Sequence, residues 1–264
     1  MQIKNITIGD GHPKILGVLN ISPESFFSDS FTPIHNLLGR VEEMKRDGAD
    51  IIDVGARSTA LGAPAISVSE EKTRIADALA ELAGTDIPFS LDTMHPQVLK
   101  TALHYDIAAI NDISGLLNPE FAKLAADSGL PVISMASLSS PGDALCFADT
   151  FAACAAVLER AETYNIENLI LDPGIGKWSE KRTAEADWEL CRRFAELKEF
   201  DRPLLCAVSR KAFIGEALKR EPQDRLFGTL AVEFALCKTG ADILRVHDVA
   251  ETRDVIAVFE KIRQ

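Results

Sequence analysis

Several features that mark common protein classes are missing from this sequence of 264 residues. Its five cysteines are odd in number and include no C-x-x-C pair, which argues against a disulfide framework or a zinc ribbon and favours the reducing cytoplasm. No stretch approaches the roughly 20 apolar residues that a membrane span needs. Residues 1–11 alternate apolar and polar residues without the apolar core of a signal peptide. We therefore expect a cytoplasmic protein with no membrane association.

Clusters of basic residues are also missing. The formal net charge is −12 at pH 7, and nucleic-acid binding usually needs a basic stripe, so nucleic acid is not expected as a partner. No linker, low-complexity segment or break in composition divides the chain. With 47% hydrophobic residues, the sequence indicates a single domain over residues 1–264 with a substantial core.

The sequence does contain a regular alternation of short apolar runs and stretches with a helical pattern. The apolar runs are residues 15–21, 49–55, 88–93, 108–114, 131–136, 168–176, 203–210 and 241–249. The helical stretches are residues 34–47, 69–82, 96–105, 119–127, 147–164, 184–197, 222–239 and 250–262. Such runs are typical of strands buried on both faces. Eight units favour a single α/β domain closed into a (β/α)8 TIM barrel, with an open flavodoxin-like sheet as the alternative. Residues 3–9 predict a short N-terminal strand or hairpin that caps the closed end of this barrel.

The carboxyl ends of the eight strands would lie on one face of the barrel, where such barrels hold their active sites. Polar residues stand at or near these ends: Asn20, Asp53, Asp92, Asn111, Asp172, Arg210, Lys211, Arg245 and His247, together with Met135. The acids and amide at 92, 111 and 172 suit a ligand rich in N–H donors, such as a 2-amino-4-oxo heterocycle. Capping of the following helices is the alternative reading for the two aspartates.

A positively charged group ends the last two strands, as Ser209-Arg210-Lys211 and Arg245-Val246-His247. A phosphate site formed by the loops after strands seven and eight recurs in barrels of this type, which predicts an anion site here. Isolated surface salt bridges are the alternative. Asn20, at the end of the first strand, offers an amide oxygen suited to Mg²⁺ bound to a diphosphate, although an asparagine alone is more often a turn residue.

Six segments, in order from about Leu16 to Val255, resemble the dihydropteroate synthase family of the pterin-binding barrel superfamily. They read Gly-Val-Leu-Asn-Ile-Ser-Pro-Glu-Ser-Phe, Gly-Ala-Asp-Ile-Ile-Asp-Val-Gly, Ile-Asn-Asp-Ile-Ser-Gly, Leu-Asp-Pro-Gly-Ile-Gly, Ser-Arg-Lys-Ala-Phe-Ile-Gly and Arg-Val-His-Asp-Val. The resemblance implies a transferase that condenses 6-hydroxymethyl-7,8-dihydropterin diphosphate with 4-aminobenzoate or a related aryl amine and releases diphosphate, as in folate biosynthesis. The alternatives are a methyltransferase from a tetrahydropterin to a corrinoid protein and a pterin-binding paralogue without catalytic activity.

The resemblance also implies roles for individual residues. The pterin site is assigned to Asp92, Asn111, Met135, Asp172 and Lys211. The diphosphate site is assigned to Asn20, Arg245 and His247, with Asn20 as a ligand of the Mg²⁺ cofactor. The catalytic residues are Asp92, Lys211, Arg245 and His247. A homodimer through the side formed by residues 222–239 and 250–262 is also implied.

The sequence departs from the family pattern in loops on the side of the aryl amine. The family segments Gly-Glu-Ser-Thr-Arg-Pro-Gly, Met-His-Met, Phe-Gly-Lys and Ser-Phe-Ser-Asp-Gly-Gly correspond here to residues 56–62, 135–137, 177–179 and 25–30, which read Ala-Arg-Ser-Thr-Ala-Leu-Gly, Met-Ala-Ser, Lys-Trp-Ser and Ser-Phe-Phe-Ser-Asp-Ser. The acceptor side is assigned to Arg57, Ser58, Thr59, Lys177 and Ser209, with Arg57 in place of the missing loop arginine. An altered acceptor and neutral change in the loops are both compatible with these departures.

Overall fold

The fold is described from a computed structural model that covers residues 1–23, 31–58 and 61–263. In these segments the strands are β1 (Gln2–Ile3), β2 (Ile6–Thr7), β3 (Lys14–Asn20), β4 (Ile51–Gly55), β5 (Phe89–Asp92), β6 (Ala109–Asp112), β7 (Val132–Met135), β8 (Leu169–Asp172), β9 (Leu205–Cys206) and β10 (Ile243–Val246). The helices are α1 (Leu37–Arg46), α2 (Val68–Glu81), α3 (Pro96–Ala102), α4 (Pro119–Ser128), α5 (Phe147–Thr163), α6 (Ala184–Arg192), α7 (Ala212–Leu218), α8 (Leu226–Thr239) and α9 (Val249–Ile262). Short 3₁₀ turns cover Ile34–Asn36, Phe194–Phe200 and Pro222–Asp224.

The strands from β3 to β10 form one parallel sheet in the order β8-β7-β6-β5-β4-β3-β10-β9. The two edges of this sheet meet, because the Leu171 amide donates to the Pro203 carbonyl at 2.9 Å and Leu171 pairs with Leu204. The sheet is therefore the predicted (β/α)8 barrel, and the open flavodoxin-like alternative is wrong. The joint is short because Pro203 has no N–H to donate and β9 contains only two residues.

The N-terminal segment is an antiparallel hairpin of β1 and β2. Its Ile3 and Ile8 are buried against an apolar cluster inside the barrel, which includes Leu16, Ile51 and Ile243 near the amino ends of their strands. The predicted cap at the closed end of the barrel is confirmed. A larger apolar cluster fills the space between the strands and the surrounding helices.

One helix was missed by the sequence pattern. The apolar run 203–210 predicted a strand up to Arg210, but β9 ends at Cys206 and α7 begins at Ala212. The chain turns at Arg210, which has a positive φ of 57°. With seven residues and an internal glycine, α7 is too short to show a helical period. The guanidinium of Arg225 packs against this glycine, because a Cβ at Gly215 would lie 2.2 Å from Nε of Arg225.

The cysteines are all free thiols, and Cys154, Cys206 and Cys237 are buried. Within the described segments, no helix is both long enough and apolar enough to cross a membrane.

Candidate active site

A cavity of about 440 Å³ opens at the carboxyl ends of the barrel strands. The candidate residues that line it are Asn20, Arg57, Ser58, Asp92, Asn111, Asp172, Lys177, Ser209, Lys211, Arg245 and His247. Thr59 lies outside the described residues, and Met135 is not part of the cavity wall. The structure therefore brings together side chains that are up to 227 positions apart (247 − 20).

Strand register explains one row of this site. Asn20 pairs with Gly55, Gly55 with Asp92, and Asp92 with Asn111, so the four residues lie side by side across β3, β4, β5 and β6. Each residue ends or nearly ends its strand. The polar atoms of three side chains therefore face the same opening, whereas the apolar cluster with Ile3 and Ile8 fills the closed end of the barrel.

The carboxylate of Asp53 is 0% exposed and supports the cavity residues without lining the cavity itself. It accepts hydrogen bonds from Oγ of Ser90, from Nδ2 of Asn111 at 2.9 Å and from Nε of Arg245 at 2.7 Å. Nη2 of Arg245 also donates to Asp92 at 2.7 Å. Asp53 thus orients two candidate residues, a role that the sequence analysis did not assign to it.

Burial changes the protonation of both cavity aspartates. It raises the pKa of Asp92 to about 7, against the opposing attraction of Arg245 and with a further increase from the charges of Asp53 and Glu71. Burial also raises the pKa of Asp172, and here the charge of Lys211 opposes it. Each carboxylate can therefore take up a proton more readily than an exposed one.

Asp172 ends β8 and shapes the loop that follows. Its Oδ1 accepts from the amide of Gly174 at 2.8 Å. Met135, its register partner on β7, is 1% exposed and lies beneath this loop, since a Cβ at Gly174 would be 3.1 Å from the Met135 Cγ. Met135 therefore lies under the loop and not in the cavity wall, and its contact with a bound ring stays a prediction.

Lys211 reaches the same loop from the opposite side. Its Nζ donates to the carbonyl of Ile175 and lies 5.5 Å from the ring centroid of Trp178. Burial lowers the pKa of Lys211, whereas the charge of Asp172 opposes that shift. Gly176 leaves room for this lysine, because a Cβ there would be 2.8 Å from the Lys211 Cδ.

A buried ion pair supports the loop from behind. Asp187 of α6 accepts from the amide of Gly176 and from Nε of Arg182, both at 2.8 Å. Arg182 also donates to the carbonyl of Ala144 at 2.6 Å, which joins the loops after β7 and β8. The pair fixes the backbone that meets Lys211.

The cations of the predicted anion site do not all face the cavity. Arg210 turns away and makes two hydrogen bonds to Asp248, at 2.7 and 2.8 Å, so its assignment to the anion site is wrong. His247 stays in the cavity wall, with Nδ1 3.0 Å from Oγ of Ser209. Burial, helped by the charge of Arg245, lowers the pKa of His247 to about 4, so its imidazole is neutral at pH 7.

Comparisons with known proteins agree with this geometry. The sequence model of the family described as pterin binding enzyme matches residues 16–247. The chain is 37% identical to the dihydropteroate synthase of Escherichia coli (strain K12), over 94% of this chain and 91% of the relative. The chain belongs to the dihydropteroate synthase family. Members of this family are transferases that join a pterin diphosphate to 4-aminobenzoate in folate synthesis.

Solved structures of dihydropteroate synthases also match this chain over nearly its whole length. The dihydropteroate synthase of Yersinia pestis in a sulfonamide drug complex has a TM-score of 0.89 and 30% identity, covering 100% of this chain and 98% of that one. The structure of a dihydropteroate synthase in complex with pteroic acid from Coxiella burnetii has a TM-score of 0.88 and 26% identity, with coverages of 99% and 96%.

Among the described residues, departures from the dihydropteroate synthase sequence pattern lie both in the cavity wall and behind it, and the departure at residues 25–30 falls outside the described residues. Leu61 and Lys177 line the cavity, at positions where the family has proline and phenylalanine. Ser137, in contrast, is fully buried and donates to the carbonyl of Ile113 at 3.2 Å. The departure after β7 therefore changes packing behind the site and not the cavity wall.

Sequence reasoning assigned no role to two cavity residues whose side chains carry N–H donors. Trp178 donates from Nε1 to the carbonyl of Gly174 at 3.0 Å and supplies an aromatic wall. Arg225 reaches the cavity from the start of α8, while its guanidinium donates to the carbonyls of Arg220 and Arg210. A tryptophan after a strand is a weak signal, and Arg225 follows no strand, so the strand-end pattern did not reveal it.

Proposed function

We propose that this chain catalyses the condensation of 6-hydroxymethyl-7,8-dihydropterin diphosphate with 4-aminobenzoate, and that the pterin occupies the floor of the cavity. The carboxylates of Asp92 and Asp172 would accept hydrogen bonds from N–H groups at the edge of the pterin. The amide of Asn111 and the ammonium group of Lys211 would contact the same edge. The observation that carries this proposal is the row of Asn20, Asp92 and Asn111 at one level of the barrel.

We propose Asn20, Arg245 and His247 as the diphosphate-binding residues. Arg245 donates from Nε to Asp53 and from Nη2 to Asp92. The N–H groups of Nη1 are therefore left for a phosphate oxygen. The Ser209 hydroxyl oxygen accepts from the His247 amide at 3.2 Å, so its hydrogen is available to Nδ1. That arrangement places the ring hydrogen on Nε2, where a neutral imidazole donates to an anion.

A magnesium ion would fit as part of the substrate. The described segments contain no group of three or more His, Cys, Asp or Glu side chains that could hold a metal. Mg²⁺ commonly takes one or two protein oxygens and completes its shell with phosphate oxygens and water. We propose the amide oxygen of Asn20, which also accepts from the Ser22 amide at 2.9 Å, as the protein oxygen. When bound, the ion would neutralise charge that develops on the departing diphosphate.

The chemistry needs no nucleophile from the protein. Departure of diphosphate leaves an electron-poor methylene carbon on the pterin, and the aryl amine attacks that carbon. The residues that hold the diphosphate supply the stabilisation of the leaving group. The aryl amine would approach from the cavity mouth, along the proposed acceptor-side residues Arg57, Ser58, Thr59, Lys177 and Ser209. Diphosphate anchoring favours this reaction over methyl transfer to a corrinoid protein, which has no anionic leaving group to hold.

The experiment that tests the proposal is an assay of diphosphate release from the dihydropterin diphosphate with Mg²⁺. We expect release that depends on 4-aminobenzoate. Tight pterin binding without release, in the presence of any aryl amine, would overturn the proposal and favour methyl transfer or a binding protein. Omission of Mg²⁺ and replacement of Asn20 by alanine test the metal assignment, and both should raise the KM for the diphosphate substrate.

We also propose a cytoplasmic homodimer. Phe227 on α8 is 83% exposed, and Val258 and Ile262 on the neighbouring α9 are exposed as well. Burial of this apolar surface against a second copy would remove it from water. The free cysteines support a reducing compartment. Light scattering should give the mass of a dimer, and that of a monomer for Phe227→Asp.

A further inference from the structure

The arginines and lysines of the cavity differ in how their N–H groups are used. Arg245 bonds two aspartates, Arg225 donates to two backbone carbonyls, and Lys211 donates to Ile175. Lys177 is 40% exposed and lies 3.4 Å from Glu180, so it faces solvent. These side chains already have partners or are hydrated.

Arg57 is the exception. Its side chain is 20% exposed and lines the cavity beside Asp92, whose pKa its charge helps to lower. Among residues 1–23, 31–58 and 61–263, its guanidinium makes no hydrogen bond, and its one ion pair is with Glu71 at 3.6 Å from Nε. That distance is too long for a hydrogen bond. Up to five donors of a largely buried cation are therefore available to a ligand.

Glu71 is itself held in place. It is 1% exposed, and its two oxygens accept from Oγ1 of Thr93 at 2.5 Å and from Nδ1 of His95 at 2.8 Å. Thr93 directly follows Asp92 on the chain. Glu71 therefore links the end of the strand that carries Asp92 to the loop that carries Arg57. Its charge holds the guanidinium at the cavity wall without a hydrogen bond to the guanidinium donors.

We propose that Arg57 selects aryl amines that carry an anionic substituent, by a charge-assisted hydrogen bond to that substituent, and that Glu71 is its positioning residue. The inference rests on the proposed function and names the residue that recognises the acceptor. A guanidinium in a partly desolvated wall binds a carboxylate more strongly than an exposed cation does, because less water competes. The amino group at the other end of the ring stays uncharged and available for attack.

The test compares 4-aminobenzoate with its neutral isostere 4-aminobenzamide. In the wild-type enzyme we expect a higher kcat/KM for the carboxylate. Arg57→Gln should lower kcat/KM for 4-aminobenzoate by about 10- to 100-fold, mainly through KM, since it removes a hydrogen bond to a charged group. The value for 4-aminobenzamide should fall much less than that for 4-aminobenzoate. Both acceptors share any change in the pterin site that follows from the altered pKa of Asp92, so the ratio of the two values isolates the acceptor contact.

Three further variants separate recognition from folding. Glu71→Gln keeps a side chain of the same size but removes the negative charge that positions Arg57. It should therefore raise the KM for 4-aminobenzoate, but less than Arg57→Gln does. Arg57→Lys should restore part of the selectivity. Glu70→Gln, on the adjacent and exposed position of α2, is the matched control and should leave all constants unchanged.

Equal relative losses of kcat/KM for both acceptors in Arg57→Gln would overturn the inference, because the preference for the carboxylate would be unchanged. No loss for either acceptor would overturn it as well. If the wild-type enzyme releases no diphosphate with any aryl amine, the proposed function fails instead. Calorimetry then decides the role of Arg57, with each acceptor added to protein that holds the dihydropterin and inorganic diphosphate. Preferential binding of 4-aminobenzoate that is lost in Arg57→Gln supports the inference, whereas equal affinities in the two proteins contradict it.

Discussion

Burial sets the charge of individual side chains in this cavity. The pKa of Asp92 rises to about 7 and that of His247 falls to about 4, in both cases because burial disfavours the charged form. His247 is consequently neutral over the whole physiological range. Asp92 changes its charge near neutral pH, and Asp53 and Glu71 strengthen that tendency by their own negative charges.

We predict that the affinity for 6-hydroxymethyl-7,8-dihydropterin falls as the pH is lowered through about 7. A carboxylate only accepts hydrogen bonds, and protonation of Asp92 would set a donor against the N–H groups of the pterin. Calorimetric titration of the pterin without its diphosphate checks this, because the diphosphate itself titrates. Asp92→Asn should bind weakly with a flat pH profile. An equally flat profile for the wild-type protein would contradict the prediction.

The same group affects stability with a defined sign. Its ordinary pKa is 3.8, and its pKa in the folded protein is about 7. Between these values the folded protein keeps a proton that the unfolded chain has lost. Asp92 therefore makes the free energy of unfolding decrease as the pH rises through this interval. The ionised carboxylate is retained at a cost in stability, as is common at functional sites.

At the level of elements, the loop between β8 and α6 depends on a helix that does not line the cavity. Asp187 of α6 holds Gly176, and Arg182 joins the same carboxylate to the loop after β7. Nη2 of Arg182 has no partner among the described atoms, so the arginine relies on Asp187 for its charge balance. The position of Lys211 follows from this support, because it bonds the same loop at Ile175.

We predict that Asp187→Ala lowers the free energy of unfolding by about 3–5 kcal/mol, since it leaves the buried charge of Arg182 unpaired. The double variant Arg182→Met/Asp187→Leu should recover much of that stability while turnover stays low, because Gly176 still lacks its acceptor. Urea denaturation and steady-state kinetics measure the two effects. A double variant as unstable as the single one would show that the loop, and not the unpaired charge, controls stability.

At the level of the whole molecule, one end of the barrel carries the cavity and the other end is closed by apolar packing. The carboxyl end carries the cavity, and the N-terminal hairpin closes the other end with Ile3 and Ile8. Residues at the closed end of such barrels contribute to stability and not to catalysis. The hairpin is therefore a site where stability can be changed without a change in the chemistry.

We predict that Ile3→Ala lowers the free energy of unfolding by about 2–5 kcal/mol through loss of buried apolar contacts. The KM values for both substrates should stay the same. Ile6→Ala, at a partly exposed position in the same hairpin, is the control and should cost less. A denaturation series and acceptor kinetics on the three proteins provide the measurement, and a rise in either KM at unchanged stability would be the contrary result.

Sequence patterns predicted most of the site because strand ends are visible in a sequence. A run of apolar residues that stops at Asp92 or Asp172 fixes both the strand and the place of the acid at its carboxyl end. The same logic failed at Arg210, where a backbone turn sends the side chain to Asp248. It also gave no sign that the loop after β8 covers Met135, because loop paths are not encoded in strand periodicity.

The sequence by itself determined the eight-unit barrel, its capping hairpin and the set of polar residues at the open end, since periodicity and strand-end position are local properties. Only the tertiary structure decided how those residues are paired. The bonds from Arg245 to Asp53 span 192 positions, and Glu71 meets Arg57 and His95 from a helix outside the barrel wall. Such pairings depend on strand order and loop paths, so the charge of each cavity group, and the donors left for a ligand, appear only when the barrel has closed.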